Sequence, residues 1–200
     1  MIVIIVQSVL RFFNSKIIML TKNLNKQQAS SGFTLLELLV VMIILALLAG
    51  IGLMSFGTVQ QKSRDSARKQ DLASISKALE LYHNDYGSYP LSSSIDGQIE
   101  GCGMDALEAC VWGEIWSNSS DDTLYMNMLP KDPLTNWKYY YRQENNGYYL
   151  FARLENEEDP SMALSGGNPA FYANTNCNGE SDSCNYVIKS SNLSEEPTIF

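Results

Sequence analysis

The sequence predicts an α+β chain, a long N-terminal helix packed on a small antiparallel β-sheet. Three observations carry that expectation. No proline occurs from Phe33 to Tyr89, so a helix can run unbroken there. Within that stretch the pattern changes from a continuous apolar run to apolar residues at steps of three and four, the signature of a helix with one buried face. Beyond it, aromatic-rich runs flank Asn146-Gly147, the composition of a β-hairpin.

Charge divides the chain unevenly. Residues Met1 to Leu36 contain no Asp or Glu, and Arg11, Lys16, Lys22 and Lys26 give this leader a charge of +4. The whole chain carries −8, so the remainder carries −12. Basic residues just before a long apolar run obey the positive-inside rule and place the leader in the cytoplasm, the acidic bulk on the far side of the membrane. A bulk of that charge repels phosphate backbones, which argues against direct nucleic-acid binding.

The apolar run Phe33 to Phe56 is long enough, at about 1.5 Å per residue, to cross a hydrocarbon core of about 30 Å. Leu38 to Gln61 holds no charged side chain. Glu37 is the exception near the start of the run, where an ionised carboxylate costs a few kcal/mol unless paired. A secretory signal peptide has an apolar core of about 7–15 residues and then a small-residue cleavage site; this core is longer and has no convincing site after it. An ordinary uncleaved anchor fits length and charge but leaves Gly32-Phe33 and Glu37 without a purpose.

Gly32-Phe33-Thr34-Leu35-Leu36-Glu37, followed by Leu38-Leu39-Val40-Val41-Met42-Ile43-Ile44-Leu45-Ala46, resembles the class III leader of type IV prepilins and type II secretion pseudopilins. The resemblance implies the pilin fold, cleavage by a prepilin peptidase between Gly32 and Phe33, and N-methylation of Phe33. It also implies that Glu37 acts in subunit assembly. Cleavage creates an α-amino group four residues from Glu37, and in a filament the carboxylate of one subunit could neutralise the Phe33 amine of a neighbour, offsetting the desolvation of both ions. The expected divisions are a leader over 1–32, a transmembrane and assembly helix over 33–58, its amphipathic continuation over 59–87, and a soluble domain over 88–200. A leader of thirty-two residues is long for this family. Met19 opens a shorter basic leader, and residues 1–18 are read as a misassigned upstream start, the choice between Met1 and Met19 staying open.

Past Gln61, Leu72, Ile75, Leu79, Tyr82 and Tyr86 form the stripe expected to pack on the sheet. Gly87 and Pro90 supply a C-terminal glycine and a breaker, so the helix is expected to stop near Tyr86. Gly50, Gly52 and Gly57 are either sites where the helix stretches on assembly or points of close helix packing. His83, the single histidine, sits beside the stripe and reads as a surface residue. No hydrolase elbow, P-loop, zincin or dinucleotide motif follows Phe33, and the chain is not expected to be an enzyme. Leu91 to Pro130 reads as a variable loop with a helix-compatible patch around Met104 to Trp116. The hairpin follows, with a last strand at Tyr186 to Lys189.

All four cysteines lie in the part expected to be exported, where disulfides form. Of three possible pairings the local scheme, Cys102 with Cys110 and Cys177 with Cys184, is preferred, with unpaired thiols as the alternative. Tyr82, Gly87, Tyr89 and Pro90 near the helix end, with Leu129, Pro130, Asp132 and Pro133 before the tyrosine-rich strand, look most like the major, G-type pseudopilins. Members of that group bind calcium in a C-terminal loop with an acidic pattern, from which this chain departs. Asn174, Asn176, Asn178 and Asp182 have the oxygen spacing of a calcium loop but less charge than carboxylates provide, and a disulfide-closed turn rich in asparagine is the competing reading. No other cofactor is expected.

The resemblance implies a structural subunit of a pseudopilus that drives protein export, anchored in the inner membrane with its C-terminal domain outside the cytoplasm. Its partners would be the prepilin peptidase, further copies of itself in a helical homopolymer, other pseudopilins, the inner-membrane assembly platform and the membrane. Two alternatives stay open: a type IV pilus subunit for adhesion, motility or DNA uptake, and a membrane-tethered binding module that does not polymerise.

Overall fold

The computed structural model describes residues 33–93, 96–102, 108–118 and 123–199. The leader over 1–32, including Gly32, lies outside them. The chain forms two compact units, residues 1–50 and 51–200, whose boundary falls within one helix, α1 (Leu35–Tyr86).

In the first unit α1 begins on Thr34, whose carbonyl accepts from the amides of Glu37 and Leu38 and whose hydroxyl accepts from the Glu37 amide at 3.2 Å. This is an N-cap, and it satisfies donors that the first helical turn would otherwise leave without partners. Leu35, Leu36, Leu38, Leu39, Met42 and Ile43 are exposed. Among the described residues no helix is long and apolar enough to cross a membrane. The apolar run expected to span includes Ala49 and residues 51–55, whose side chains lie outside the description.

The second unit is organised around a three-stranded antiparallel sheet of β5 (Tyr140–Glu144), β6 (Gly147–Ala152) and β9 (Tyr186–Lys189), with β6 in the middle. Every residue of β6 is buried, because both of its faces are covered. Tyr148, Leu150 and Ala152, with Tyr141 of β5, face Leu72, Ile75, Ala78, Leu79 and Tyr82 of α1. Tyr149 and Phe151 face Ala163, Ala170, Tyr172, Leu193 and the Cys177–Cys184 pair. Period-two alternation thus splits the strand between two cores, with α1 on one face and the C-terminal segments on the other.

The helix stripe is as expected at Leu72, Ile75, Leu79 and Tyr82, all buried, but not at Tyr86, which is 42% exposed and packs tilted against Tyr82 with ring centroids 4.5 Å apart. The helix ends there. Gly87 takes φ +71° and its amide donates to the carbonyl of His83 at 2.8 Å, a left-handed C-terminal cap that releases the chain from the core face. His83 is half-buried and packs on the Tyr89 ring at 4.4 Å.

Tyrosines join sheet and helix through both ends of the side chain. Their rings fill the core while their hydroxyls reach polar groups: Tyr139 donates to Asp71 at 2.6 Å, Tyr141 to the Pro90 carbonyl at 2.7 Å, Tyr125 to Asp85 at 3.0 Å and Tyr89 to Glu80 at 3.0 Å. Tyr148 and Ser76 share a hydrogen bond of 2.7 Å. Each bond lets a buried phenol keep a partner. Burial and Glu80 push the Tyr89 phenol up to about 12.

Three sequence expectations need correction. The hairpin turns on Asn145-Asn146, both at positive φ (47° and 57°), and Gly147 is already the first residue of β6, opposite Glu144. Two consecutive left-handed residues make the two-residue turn that suits strand twist, and asparagine tolerates the conformation. Gly147 has a different role: a Cβ there would lie 2.4 Å from Leu193 Cγ and 2.6 Å from Ser190 Oγ, so the absent side chain lets the C-terminal segment close over β6.

The segment expected as a variable loop holds two ribbons, β1 (Glu100–Cys102) with β2 (Glu108–Ala109) and β3 (Trp116–Asn118) with β4 (Thr123–Met126). Of the helix-compatible patch over 104–116, the described part is strand and turn. The Cys102–Cys110 disulfide straps β1 to the end of β2 at a Cα separation of 5.2 Å, which fixes this stretch in an extended pairing. A further hairpin, β7 (Leu164–Ser165) and β8 (Asn168–Pro169), turns on Gly166-Gly167 at positive φ, a dipeptide whose signal was present in the sequence.

Candidate functional site

Two places carry the functional argument. The first is the helix start. Phe33 is 83% exposed and Glu37 stands in the first helical turn, where an acid is favoured by the partial positive charge of the helix end. Thr34 and Glu37 stand three apart as a capping-box pair, a pattern legible in the sequence and absent from the expectations above. Gly32, the other side of the expected cleavage bond, lies outside the described residues.

The second place is inside the soluble unit. The buried stripe of α1 does not begin at Leu72: it continues back through Arg68, 0% exposed, and Asp65, 2% exposed, at the same steps of three and four. Arg68 Nε and Nη2 donate in parallel to Asp132 Oδ2 and Oδ1 at 2.7 and 2.9 Å, and Nη1 donates to Asp65 at 2.7 Å and to Glu155 at 2.7 Å. The face of the guanidinium lies 4.6 Å from the Trp137 ring centroid. One cation therefore meets three carboxylates and an indole.

The carboxylates are satisfied in turn. Asp132 accepts from the Leu134 amide at 2.8 Å, and Asp65 accepts from the amides of Glu155 and Asn156 at 3.0 and 2.9 Å. Glu155 is also held by Arg64, at 2.7 and 2.5 Å. Beside the cluster Lys69 pairs with Asp159 at 2.7 Å. The result joins α1, the Leu129-Pro130-Lys131-Asp132-Pro133 segment and the segment after β6. Pro130 and Pro133 restrict the backbone on either side of Asp132, which aims its carboxylate at the arginine fork. The sequence marked Asp132 only as part of a family-like pattern; its role was recoverable from charged residues standing in register with an apolar stripe.

Burial acts to lower the Arg68 value, and the hydrogen bonds it donates to Asp132 and Glu155 outweigh it, so the guanidinium is held firmly cationic. The bond from Arg64, then Arg68, holds the Glu155 carboxyl below its ordinary value despite burial. Asp159 is also low: burial raises it, but Lys69 and Ser161 more than reverse this. Asp71 goes the other way, raised by burial although Tyr139 donates to it.

The four asparagine and aspartate positions considered for calcium lie around the Cys177–Cys184 disulfide, whose Cα atoms are 5.3 Å apart. Asp182 Oδ1 accepts from the Asn174 amide, Asn176 Oδ1 from the Gly179 amide at 2.8 Å, and Asn178 Oδ1 from the Glu180 amide at 3.1 Å. Their oxygens thus cap the backbone of a tight turn, with Asn174 and Asp182 themselves at positive φ.

The family described by a prokaryotic N-terminal methylation motif matches residues 27–53, the stretch that includes the exposed apolar helix start and its one acid. A type II secretion system core protein G from Aeromonas hydrophila is 30% identical over 111 residues, covering 56% of this chain and 72% of that protein. Proteins of the same name from Pseudomonas aeruginosa and Klebsiella pneumoniae are 28% and 29% identical over 111 and 106 residues, covering 72% and 70% of their lengths. The chain belongs to this family, the G-type pseudopilins. No solved structure matches it.

Two outcomes are expected. Replacing Arg68 by Met leaves three carboxylates facing an apolar side chain, and loss of one member of a buried ionic cluster costs about 3–5 kcal/mol; urea unfolding of the full chain in detergent measures this, and adding Asp132→Leu should recover part of it. The low Glu155 value sets the sign with pH. An unfolded glutamate binds its proton near pH ~4.3, whereas the folded one resists, so its contribution is complete above that value and is lost as pH falls through the folded value. Asp159 acts in the same sense, and Asp71 opposes both. The urea midpoint should therefore fall on acidification below about pH 4.3, and less steeply in Arg64→Gln.

Proposed function

We propose that this chain is a structural, non-enzymatic subunit of a type II secretion pseudopilus. A prepilin peptidase cuts it between Gly32 and Phe33 and methylates the Phe33 amine. The segment over 33–58 anchors the precursor in the inner membrane and then packs in the filament core, with the domain over 88–200 outside the cytoplasm. Other pseudopilins and an inner-membrane platform assist assembly, and growth of the filament drives protein export.

The single observation that carries the reading is Glu37. It is an acid in the first turn of an otherwise apolar, exposed helix start, four residues from the amine that cleavage would free. Inside a filament neither ion is stable alone in an apolar setting, and pairing between neighbouring copies offsets the desolvation of both. The match over residues 27–53 and the relatives named for type II secretion support it.

Glu37→Val should be processed to the mature mass yet fail to enter filaments, with mass spectrometry reading the first step and electron microscopy of sheared material the second. Normal filaments from this variant would remove the assembly role of Glu37. Wild-type filaments that extend, retract and support twitching or DNA uptake, with export unchanged when the chain is deleted, would point to a type IV pilus subunit instead.

A further inference from the structure

A cleft of about 200 Å³ lies in the second unit, and Trp137, Arg153 and Phe171 line it with Gln61, Glu155 and Glu157. The Arg153 guanidinium packs on two rings: its centre is 5.4 Å from the Trp137 ring centroid and 5.1 Å from that of Phe171. The two rings hold the guanidinium by cation–π attraction, and the residue is only half-buried. One of those groups, Nη1, donates to the Ser183 carbonyl at 3.2 Å. The others have no carboxylate within 4.0 Å among the described residues, whereas Arg64, Arg68 and Arg142 are each ion-paired within the chain. Glu155 shares the cleft but is bound to Arg64 and Arg68, and Glu157 is exposed.

We propose that this aromatic-flanked arginine is a carboxylate-binding site whose occupant is an acidic side chain of a second copy of the chain. A planar fork held against two rings is suited to bidentate recognition of a carboxylate. Charge complementarity identifies the donor. The chain past Leu36 carries a surplus of twelve negative charges, and exposed acids such as Glu114, Glu157 and Glu158 make no ion pair among the described residues. Residues 1–32 contain no acid, so the N-terminal segment cannot supply the occupant. In a polymer each copy is held beside its neighbours, which raises the effective concentration of their surface acids at this cleft. A cation that meets them there reduces the repulsion that stacking such acidic units creates. The inference rests on the polymer reading above and deepens it by naming a contact between copies outside the helix start.

The test uses the full chain in cells that form the filament. A photo-cross-linking amino acid replaces Gln61, half-buried at the cleft, and the products are mapped by mass spectrometry. The expected product joins two copies of the chain through a peptide that contains Asp or Glu. Arg153→Gln should lower its yield by about tenfold, the loss of one charge-assisted contact, and Arg153→Lys should fall between. Arg153→Glu should abolish it, and exchanging the mapped acid for arginine in that background should restore it. Filaments that form with yield indifferent to Arg153→Gln, or with Gln61 cross-linked to another protein or to an acid-free segment, would overturn the inference alone. An unfolding midpoint lowered by Arg153→Gln, with no restoration by the charge exchange, would make Arg153 a structural residue and overturn it as well. Absence of wild-type filaments would overturn the polymer reading and this inference together.

Discussion

A fully buried guanidinium is the constraint on which the second unit depends. Removing a cation from water costs several kcal/mol even after relaxation, so Arg68 can occupy a core position of α1 only if the surrounding chain delivers enough acceptors in the right geometry. Asp65, Asp132 and Glu155 do so, from segments 64 and 87 residues away in the case of Asp132 and Glu155. Asp65 and Asp132 could not be buried without the arginine, and the arginine could not be buried without its acceptors. Apolar contacts tolerate sliding; a bidentate pair with two further bonds from the same guanidinium does not. The cluster therefore selects one placement of the Asp132 segment and of the segment after β6 against the helix.

The tyrosines extend the same logic along α1. The stripe of Leu72, Ile75 and Leu79 is fully buried in that core, but leucine against an aromatic sheet specifies register weakly. Tyr139 on Asp71 and Tyr148 on Ser76 fix it, with one directional bond at each step. Beneath the sheet, the Cys177–Cys184 turn and the segment around Leu193 cover the second face of β6, and Gly147 is small because that cover passes so close. Under the proposed function this matters mechanically. A subunit handled through its helix must carry its sheet with it, and a polar joint that opens only as a whole resists gradual peeling.

Much of this was legible in the sequence, for identifiable reasons. The end of α1 at Tyr86, strand β9 over Tyr186–Lys189 and the hairpin near residue 146 followed from glycine, proline and aromatic patterns. The hairpin was misplaced by one residue because Asn-Gly is the stronger known turn signal, while Asn145-Asn146 satisfies the same positive φ and frees Gly147 for packing. Ribbons β1 to β4 are two to four residues each, too short for periodicity to register; the Cys102–Cys110 bridge was expected from the sequence, but the strand pairing it straps was not. The Arg68 cluster was missed for a different reason: charged residues are read as exposed by default. Asp65 and Arg68 keep step with Leu72, and that phase was the available clue. At the helix start the sequence was more informative, since Phe33 and Glu37 are distinguished by chemistry and position and not by contacts.

Native-state hydrogen exchange on the full chain in detergent examines the central claim directly. The amides of Leu134, Glu155 and Asn156 bond to the Asp132 and Asp65 carboxylates and to no strand. If the Arg68 cluster opens only with the fold, these three loop amides should exchange with free energies within about 1 kcal/mol of the amides of β6. Exchange several kcal/mol more readily than β6, by local opening of those loops, would contradict it and leave the apolar stripe as the main tie between helix and sheet.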